Sequence, residues 1–173
     1  MKGFGSYSKK KTRKDSRYLK FYNEEKLANT LLRNKNIKEA KKVYLELLKN
    51  GFQSFNIFFN LGFIVINEKN YKDAIKYLTK AKSLSKENNI ELILGLVNSY
   101  FSLKEIKKAR LILDEAIIKD SKSELLLFNY AKVEEDLLNF NKAINLYEKG
   151  LNLDPNNYKA LSNVGGLYQK TNR

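Results

Sequence analysis

The residues that could do chemistry in this chain are carboxylates, lysines and tyrosines, because its 173 residues include no His and no Cys. Disulfides, thiolate or imidazole metal sites, and Ser-His-Asp or Cys-His catalysis are therefore excluded. Glu134-Glu135-Asp136 is the candidate acid-base group, but consecutive side chains on a helix point about 100° apart, so we expect a solvated cluster. The stretch "NVGGLYQK" (163–170) lacks the spacing of a P-loop. These residues predict no enzyme, no metal site and no cofactor.

Basic residues are concentrated at the N-terminus, where residues 1–20 hold eight cations and one carboxylate, half of the formal net charge of +14. Interleaved with aromatic residues, they could bind RNA, another polyanion or an anionic membrane surface. The alternative is a flexible tail that keeps the protein soluble and binds polyanions without selectivity. The cations proposed for such contacts are Lys9, Lys10, Lys11, Arg13, Lys14 and Arg17.

The sequence carries no membrane or export signal. Its longest apolar stretch, 61–66, is far shorter than the roughly 20 residues that span a bilayer, and no apolar segment follows the basic N-terminus. We therefore predict no transmembrane segment, no secretory signal and a cytoplasmic location.

The elements that must position any functional residue are set by an internal repeat. Four alanines stand 34, 35 and 34 residues apart, and each is followed four and seven residues later by residues on the same helical face. Twelve residues before each alanine stands an apolar residue, small in three of the four cases, that lets two helices approach closely. The alanines are Ala40, Ala74, Ala109 and Ala143.

This pattern resembles the tetratricopeptide repeat (TPR), and its best copy is residues 124–157, "ELLLFNYAKVEEDLLNFNKAINLYEKGLNLDPNN". The resemblance implies an all-α, right-handed solenoid of antiparallel helix pairs. We assign repeats to 21–54, 55–89, 90–123 and 124–157, and a lone first helix to 158–173. Residues 1–20 stand outside the pattern as a basic, flexible tail.

In that family, positions 2, 5, 6, 9, 12 and 13 of each repeat face a concave groove, and the resemblance places several asparagines there. An amide both donates and accepts, so a ladder of them can hold the backbone of an extended peptide. Position 6 is asparagine in three repeats and position 9 in two, which gives Asn60, Asn129 and Asn163, then Asn29 and Asn98.

The helix "FNIFFNLGFIVIN" (55–67) is apolar nearly all round, so something should bury it. Phe59 and Phe63 are expected to face the groove, and Phe128 continues the apolar character in the fourth repeat. These residues predict a hydrophobic peptide pocket, unless the N-terminal segment or the first repeat covers them.

Residues 158–173 align with the first helix of a fifth repeat, yet no second helix follows for Gly165 and Gly166. We expect the protein to continue beyond this helix; the alternative is that the helix is itself the cap. Leu161, Val164 and Tyr168 are candidates for self-association.

The predicted function is a non-enzymatic scaffold that binds an extended peptide or a partner protein in the groove. The opening "MKGFG" with "LLKNGFQSFNIFFNLGFI" (47–64) is also similar to the start of bacterial TPR proteins whose repeats precede a transferase domain. That similarity implies an alternative, a substrate-recruiting region of a larger transferase. A third hypothesis is polyanion or RNA binding through residues 1–20.

Overall fold

The computed structural model describes residues 8–85 and 87–172, and every regular element in that part of the chain is an α-helix. The helices are α1 (Ser8–Arg33), α2 (Ile37–Lys49), α3 (Phe55–Asn67), α4 (Tyr71–Leu84), α5 (Ile90–Ser102), α6 (Ile106–Lys119), α7 (Glu124–Asp136), α8 (Phe140–Leu151) and α9 (Tyr158–Lys170). None of the described helices is long and apolar enough to cross a bilayer.

Successive helices pack as antiparallel pairs, α1 with α2, α3 with α4, α5 with α6 and α7 with α8, and each pair stacks on the next. The four alanines that revealed the repeat are all fully buried, because the paired helices approach each other there. The all-α solenoid of helix pairs predicted from the sequence is therefore confirmed.

Each pair is joined by the same turn, which uses one residue with positive φ. In the first pair, the N–H of Lys35 (φ 63°) donates to the carbonyl of Leu32, and the N–H of Asn36 donates to the carbonyl of Leu31. These two bonds are a Schellman closure, which satisfies carbonyls at the end of α1. The equivalent residues in the other turns are Lys69, Lys104 and Leu138.

Glycine is required where two helices touch without room for a side chain. A Cβ on Gly62 of α3 would lie 2.5 Å from Cδ2 of Leu78 in α4, and one on Gly150 of α8 would lie 2.3 Å from the ring of Phe128 in α7. Real Cβ atoms do not come so close, so these glycines set the distance between the helices of each pair.

Within the segment that we assigned to a tail, residues 8–20 form the first part of α1, and this part continues into the repeat without a break. Its sequence contains no Gly or Pro, and Tyr18 and Phe21 pack their rings 5.6 Å from the ring of Phe52. Arg17, one of the predicted polyanion contacts, lies 5.3 Å from the centroid of the Phe21 ring.

The other five basic residues proposed as polyanion contacts lie nearer the start of α1. Lys9, Lys10, Lys11, Arg13 and Lys14 belong to α1, but their side chains lie outside the described part, as do residues 1–7. Polyanion binding through this segment stays a prediction.

The last helix, α9, packs on α8 and places its predicted self-association residues in three different environments. Val164 is buried in the core, the hydroxyl of Tyr168 donates to Glu148 at 2.5 Å, and Leu161 is 43% exposed. Val164 is therefore not available as a surface contact in this structure. Self-association through residues 158–173 stays a prediction that rests on Leu161 and Tyr168.

Candidate functional site

A cleft of about 410 Å³ lies between α1, α3 and the start of α5. Three of the eight predicted groove residues meet in it, Asn29 from α1 with Phe59 and Asn60 from α3. The remaining lining residues were not proposed from the sequence as groove contacts: Leu32, Arg33, Phe55, Asn56, Asn89 and Glu91. Asn56 occupies position 2 of its repeat, so the position rule that selected Asn60 would also have found it.

The polar floor of this cleft is a triad of Asn29, Tyr44 and Asn60. The Tyr44 hydroxyl donates to Oδ1 of Asn29 at 2.6 Å, and Nδ2 of Asn60 lies 3.0 Å from that Oδ1 and 2.9 Å from the hydroxyl. Burial raises the pKa of Tyr44, and the negative charge of Glu25 raises it further. The hydrogen bond from Asn60 lowers the pKa, but burial is the larger effect. The phenol therefore stays protonated near neutral pH and keeps donating.

Each amide of the triad keeps one group for a ligand. Among the described residues, none donates to Oδ1 of Asn60 and none accepts from Nδ2 of Asn29. This amide pair can accept one hydrogen bond and donate another. A peptide backbone carries the matching groups, an N–H donor and a carbonyl acceptor.

Glu25 is a buried carboxylate, 6% exposed, that holds the start of α3 against α1. Its Oε1 accepts from Oγ of Ser54 at 2.9 Å and from Nδ2 of Asn56 at 3.1 Å. Ser54 in turn caps α3 by accepting from the N–H of Ile57. The sequence signal was the position of Glu25, four residues before Asn29 on the same face of α1.

One wall of the cleft is a row of phenylalanine rings along α3. The ring centroids of Phe55 and Phe59 are 5.3 Å apart and those of Phe59 and Phe63 are 4.8 Å apart. Phe63 lies against Gly95 of α5, where a Cβ would come within 3.0 Å of its ring. Residues four apart share a helix face, and so the row continues from the cleft onto the next pair of helices.

The other predicted groove residues lie outside this cleft. Phe128 packs on Gly150 and so fills the space between α7 and α8. Nδ2 of Asn129 donates to the carbonyl of Leu125 in its own helix at 2.8 Å. Asn98 is exposed on α5, and Nδ2 of Asn163 donates to the hydroxyl of Tyr147 at 3.0 Å.

The carboxylates of α7 do not form the solvated cluster that we predicted, because Glu134 is fully buried. Its Oε1 lies 2.6 Å from Nζ of Lys142 and 3.0 Å from Nε of Arg110, and its Oε2 accepts from Asn139 at 2.6 Å. These cations come from α6 and α8, so Glu134 joins three helices. The sequence of α7 alone could not predict this burial, because both cations belong to other helices.

The described residues contain no group of three or more carboxylates placed to hold a metal ion. The partners of the Glu134 carboxylate are side chains of the protein itself, from Arg110, Asn139 and Lys142. The predicted groove residues that do meet lie in the cleft between α1, α3 and α5, which has an aromatic wall and an amide floor.

Comparisons with known proteins agree with this architecture. Two models of the tetratricopeptide repeat match the chain, at residues 66–127 and 126–157. Response regulator aspartate phosphatase I of Bacillus subtilis (strain 168) is 31% identical over 121 residues, which cover 64% of this chain. The chain spans only 31% of the length of that relative.

Solved structures show the same fold. The protein in the crystal structure of MamA is 21% identical in sequence to this chain. The superposition covers 84% of each chain and has a TM-score of 0.76. YrrB, described as a TPR protein with an unusual peptide-binding site, is 21% identical, covers 78% of this chain and 69% of its own, and has a TM-score of 0.70.

Proposed function

The chain is a tetratricopeptide repeat protein, and from this premise we propose that it binds an extended segment of a partner protein in the cleft between α1, α3 and α5. The observation that carries the proposal is the aromatic wall of Phe55 and Phe59 beside the amide pair of Asn29 and Asn60. The wall would bury apolar side chains of the segment, while the two amides bond to its backbone.

Pre-organisation of the floor supports this proposal. Asn29 and Asn60 are held by Tyr44, and the start of α3 is held by Glu25, before any ligand arrives. A ligand therefore does not have to order these side chains, and less binding free energy is lost to conformational entropy. Backbone bonds do not depend on the side chains of the ligand, so an apolar residue opposite Phe59 would supply the selectivity.

The rim of the cleft carries one charge of each sign, Arg33 on α1 and Glu91 on α5. Charges at a rim mainly affect the association rate and the orientation of a ligand. The peptide-binding site described for YrrB shows that a protein of this fold can bind a peptide, which is consistent with the proposal.

The test begins with a phage-displayed library of random dodecapeptides selected on the immobilised chain. A synthetic copy of a selected peptide is then titrated by calorimetry into the protein and its variants. We expect Phe59→Ala and Asn60→Ala each to weaken binding about tenfold, since each removes one contact of about 1.4 kcal/mol. The melting temperature is measured alongside, to separate lost binding from lost folding.

Asn129→Ala is the matched control, because Asn129 is an asparagine at the same repeat position that bonds to its own helix outside the cleft. Its affinity should equal that of the unmodified chain. Selection of no peptide, equal affinities for all variants, or an equal loss with Asn129→Ala would contradict the cleft assignment. The transferase-recruiting role, the absence of catalysis and the cytoplasmic location stay predictions.

A further inference from the structure

A second surface lies away from the cleft, at the turn edge where α6 begins and α7 ends. We call it the Leu138 edge and define it by Lys104, Ile106, Lys107, Leu111, Leu137 and Leu138. Leu138 is 72% exposed and Leu111 is 66% exposed, values at the high end for leucines of a folded chain.

Three clefts adjoin one another along this edge, and we refer to them together as the depression. The first, of about 450 Å³, and the second, of about 620 Å³, share Lys107 and Leu137 in their linings. The second and a third, of about 530 Å³ beside Leu138, share Arg110 and Asn139. The depression is therefore long enough to hold several residues of another chain.

Leu138 is placed on this edge by a backbone conformation that leucine rarely adopts. Its φ is 63°, and the three equivalent turn residues with φ of 60–63° are Lys35, Lys69 and Lys104. The left-handed backbone is unfavourable for leucine, and exposure leaves its apolar side chain in water. A lysine at the equivalent turns tolerates exposure, because its charged group is hydrated. A strained, exposed apolar residue of this kind is a candidate contact.

The charge around the depression is positive. Lys104 and Lys107 are exposed and, among the described residues, have no carboxylate within 4.0 Å. The acidic neighbours are already engaged, since Glu105 pairs with Lys108 at 2.5 Å and Asp114 accepts from the hydroxyl of Tyr130. An occupant would therefore meet two unpaired cations beside exposed leucines.

From these observations we infer that the Leu138 edge is a docking site for an acidic segment of a partner protein that also carries apolar residues. The carboxylates of the segment pair with Lys104 and Lys107, and its apolar side chains cover Leu111 and Leu138. This site is independent of the cleft between α1, α3 and α5, and an occupant of one leaves the other open.

The test uses a fluorescein-labelled dodecapeptide, capped at both ends, in which Asp and Glu alternate with Leu and Phe. Its affinity is measured by fluorescence anisotropy. We expect Leu138→Asn and Lys107→Glu each to weaken binding about fivefold or more, because one removes apolar contact and the other reverses a charge. Asn is tolerated at positive φ, and so Leu138→Asn preserves the turn.

Lys69→Asn is the matched control, since it introduces the same residue at the equivalent turn of the second pair, outside the Leu138 edge. It should leave the affinity unchanged. No binding at about 1 mM peptide, an unchanged affinity with Leu138→Asn, or an equal loss with Lys69→Asn would overturn the inference. The inference would also be overturned if an oligouridine RNA bound instead of the peptide, with an affinity that Lys107→Glu lowers and Leu138→Asn does not.

Discussion

Tyr44 and Tyr147 stand at the same place in their repeats, four residues after a buried alanine, and both side chains are buried. Each hydroxyl reaches between helices and receives a hydrogen bond from an asparagine of the next helix, Asn60 of α3 for the first and Asn163 of α9 for the last. The chemistry of an asparagine in this fold thus depends on a residue about sixteen positions before it.

The third pair shows the reverse case. Leu113 occupies the place of the tyrosines there, and it cannot form a hydrogen bond. Asn129, at the position matching Asn60, bonds to the carbonyl of Leu125 instead. Three asparagines at one repeat position therefore do not form the uniform ladder that the sequence predicts.

Tyr147 gives a prediction at the residue scale. Burial, and the nearby Glu135, raise the pKa of Tyr147 to about 12, against the Asn163 bond that lowers it. The folded state therefore favours the neutral phenol, and this stabilisation is complete below pH 10 and lost as pH rises from 10 to about 12. Two pH units correspond to roughly 2 to 3 kcal/mol of stability, so Tyr147→Phe should flatten this loss in urea unfolding between pH 9 and pH 11.5.

Tyr158→Phe is the control for this experiment, since Tyr158 is 81% exposed. As the pH rises from 9 to 11.5, the free energy of unfolding of this variant should fall in parallel with that of the unmodified chain. If Tyr147→Phe also follows the unmodified chain, the phenol is not held neutral by its surroundings.

At the element scale, glycine at one helix position meets opposite surroundings in a paired helix, α3, and in the last helix, α9. Gly62 and Gly165 are each the eighth residue of their helices, α3 and α9. Leu78 of α4 closes over Gly62, whereas nothing lies within 4 Å of a Cβ on Gly165. The described part of the chain provides α3, but not α9, with a second helix at that face.

We expect alanine at these two positions to change stability in opposite directions. Gly62→Ala should lower the free energy of unfolding by about 2 kcal/mol, because its Cβ overlaps Leu78. Gly165→Ala should raise it by about 0.5 to 1 kcal/mol, because alanine restricts the unfolded chain and fits the open face. Urea unfolding measures both, and a stabilising Gly62→Ala would show that the paired helices can move apart.

At the scale of the whole molecule, the main contacts of each described pair of helices are with the pairs next to it, so stability should be partly local. Glu134 joins α6, α7 and α8 through polar contacts, while Glu25 joins α1 and α3 at the other end of the stack. These two groups of polar contacts share no residue, and therefore a defect in one need not reach the other.

Hydrogen exchange followed by mass spectrometry tests this locality. Glu134→Ala leaves Arg110 and Lys142 without their shared carboxylate, and we expect faster amide exchange in α7 and α8 with little change in α1 and α2. Asp136→Ala is the control, because it removes only a surface pair with Lys132 at 3.5 Å and should change exchange little. Equal acceleration in every helix would show a single cooperative unit instead.

The sequence alone was sufficient for the helix pairs. The alanine spacing, the apolar residues four and seven places later and the turn residues are local signals, so they predict which segments are helical and which faces are buried. It also placed Phe59 and Phe63 on one face of α3, because residues four apart on a helix share a face, and their rings do lie 4.8 Å apart.

Only the tertiary structure decided which polar residues meet. Asn29 and Asn60 come together because Tyr44 of another helix reaches between them, and Glu134 is buried because Arg110 and Lys142 arrive from α6 and α8. The expectation of a solvated cluster failed at Glu134, which is fully buried. The sequence also did not predict that Tyr18 packs on Phe52, more than thirty residues away. Contacts between distant segments depend on how helices cross, and the periodicity of one helix carries no information about that.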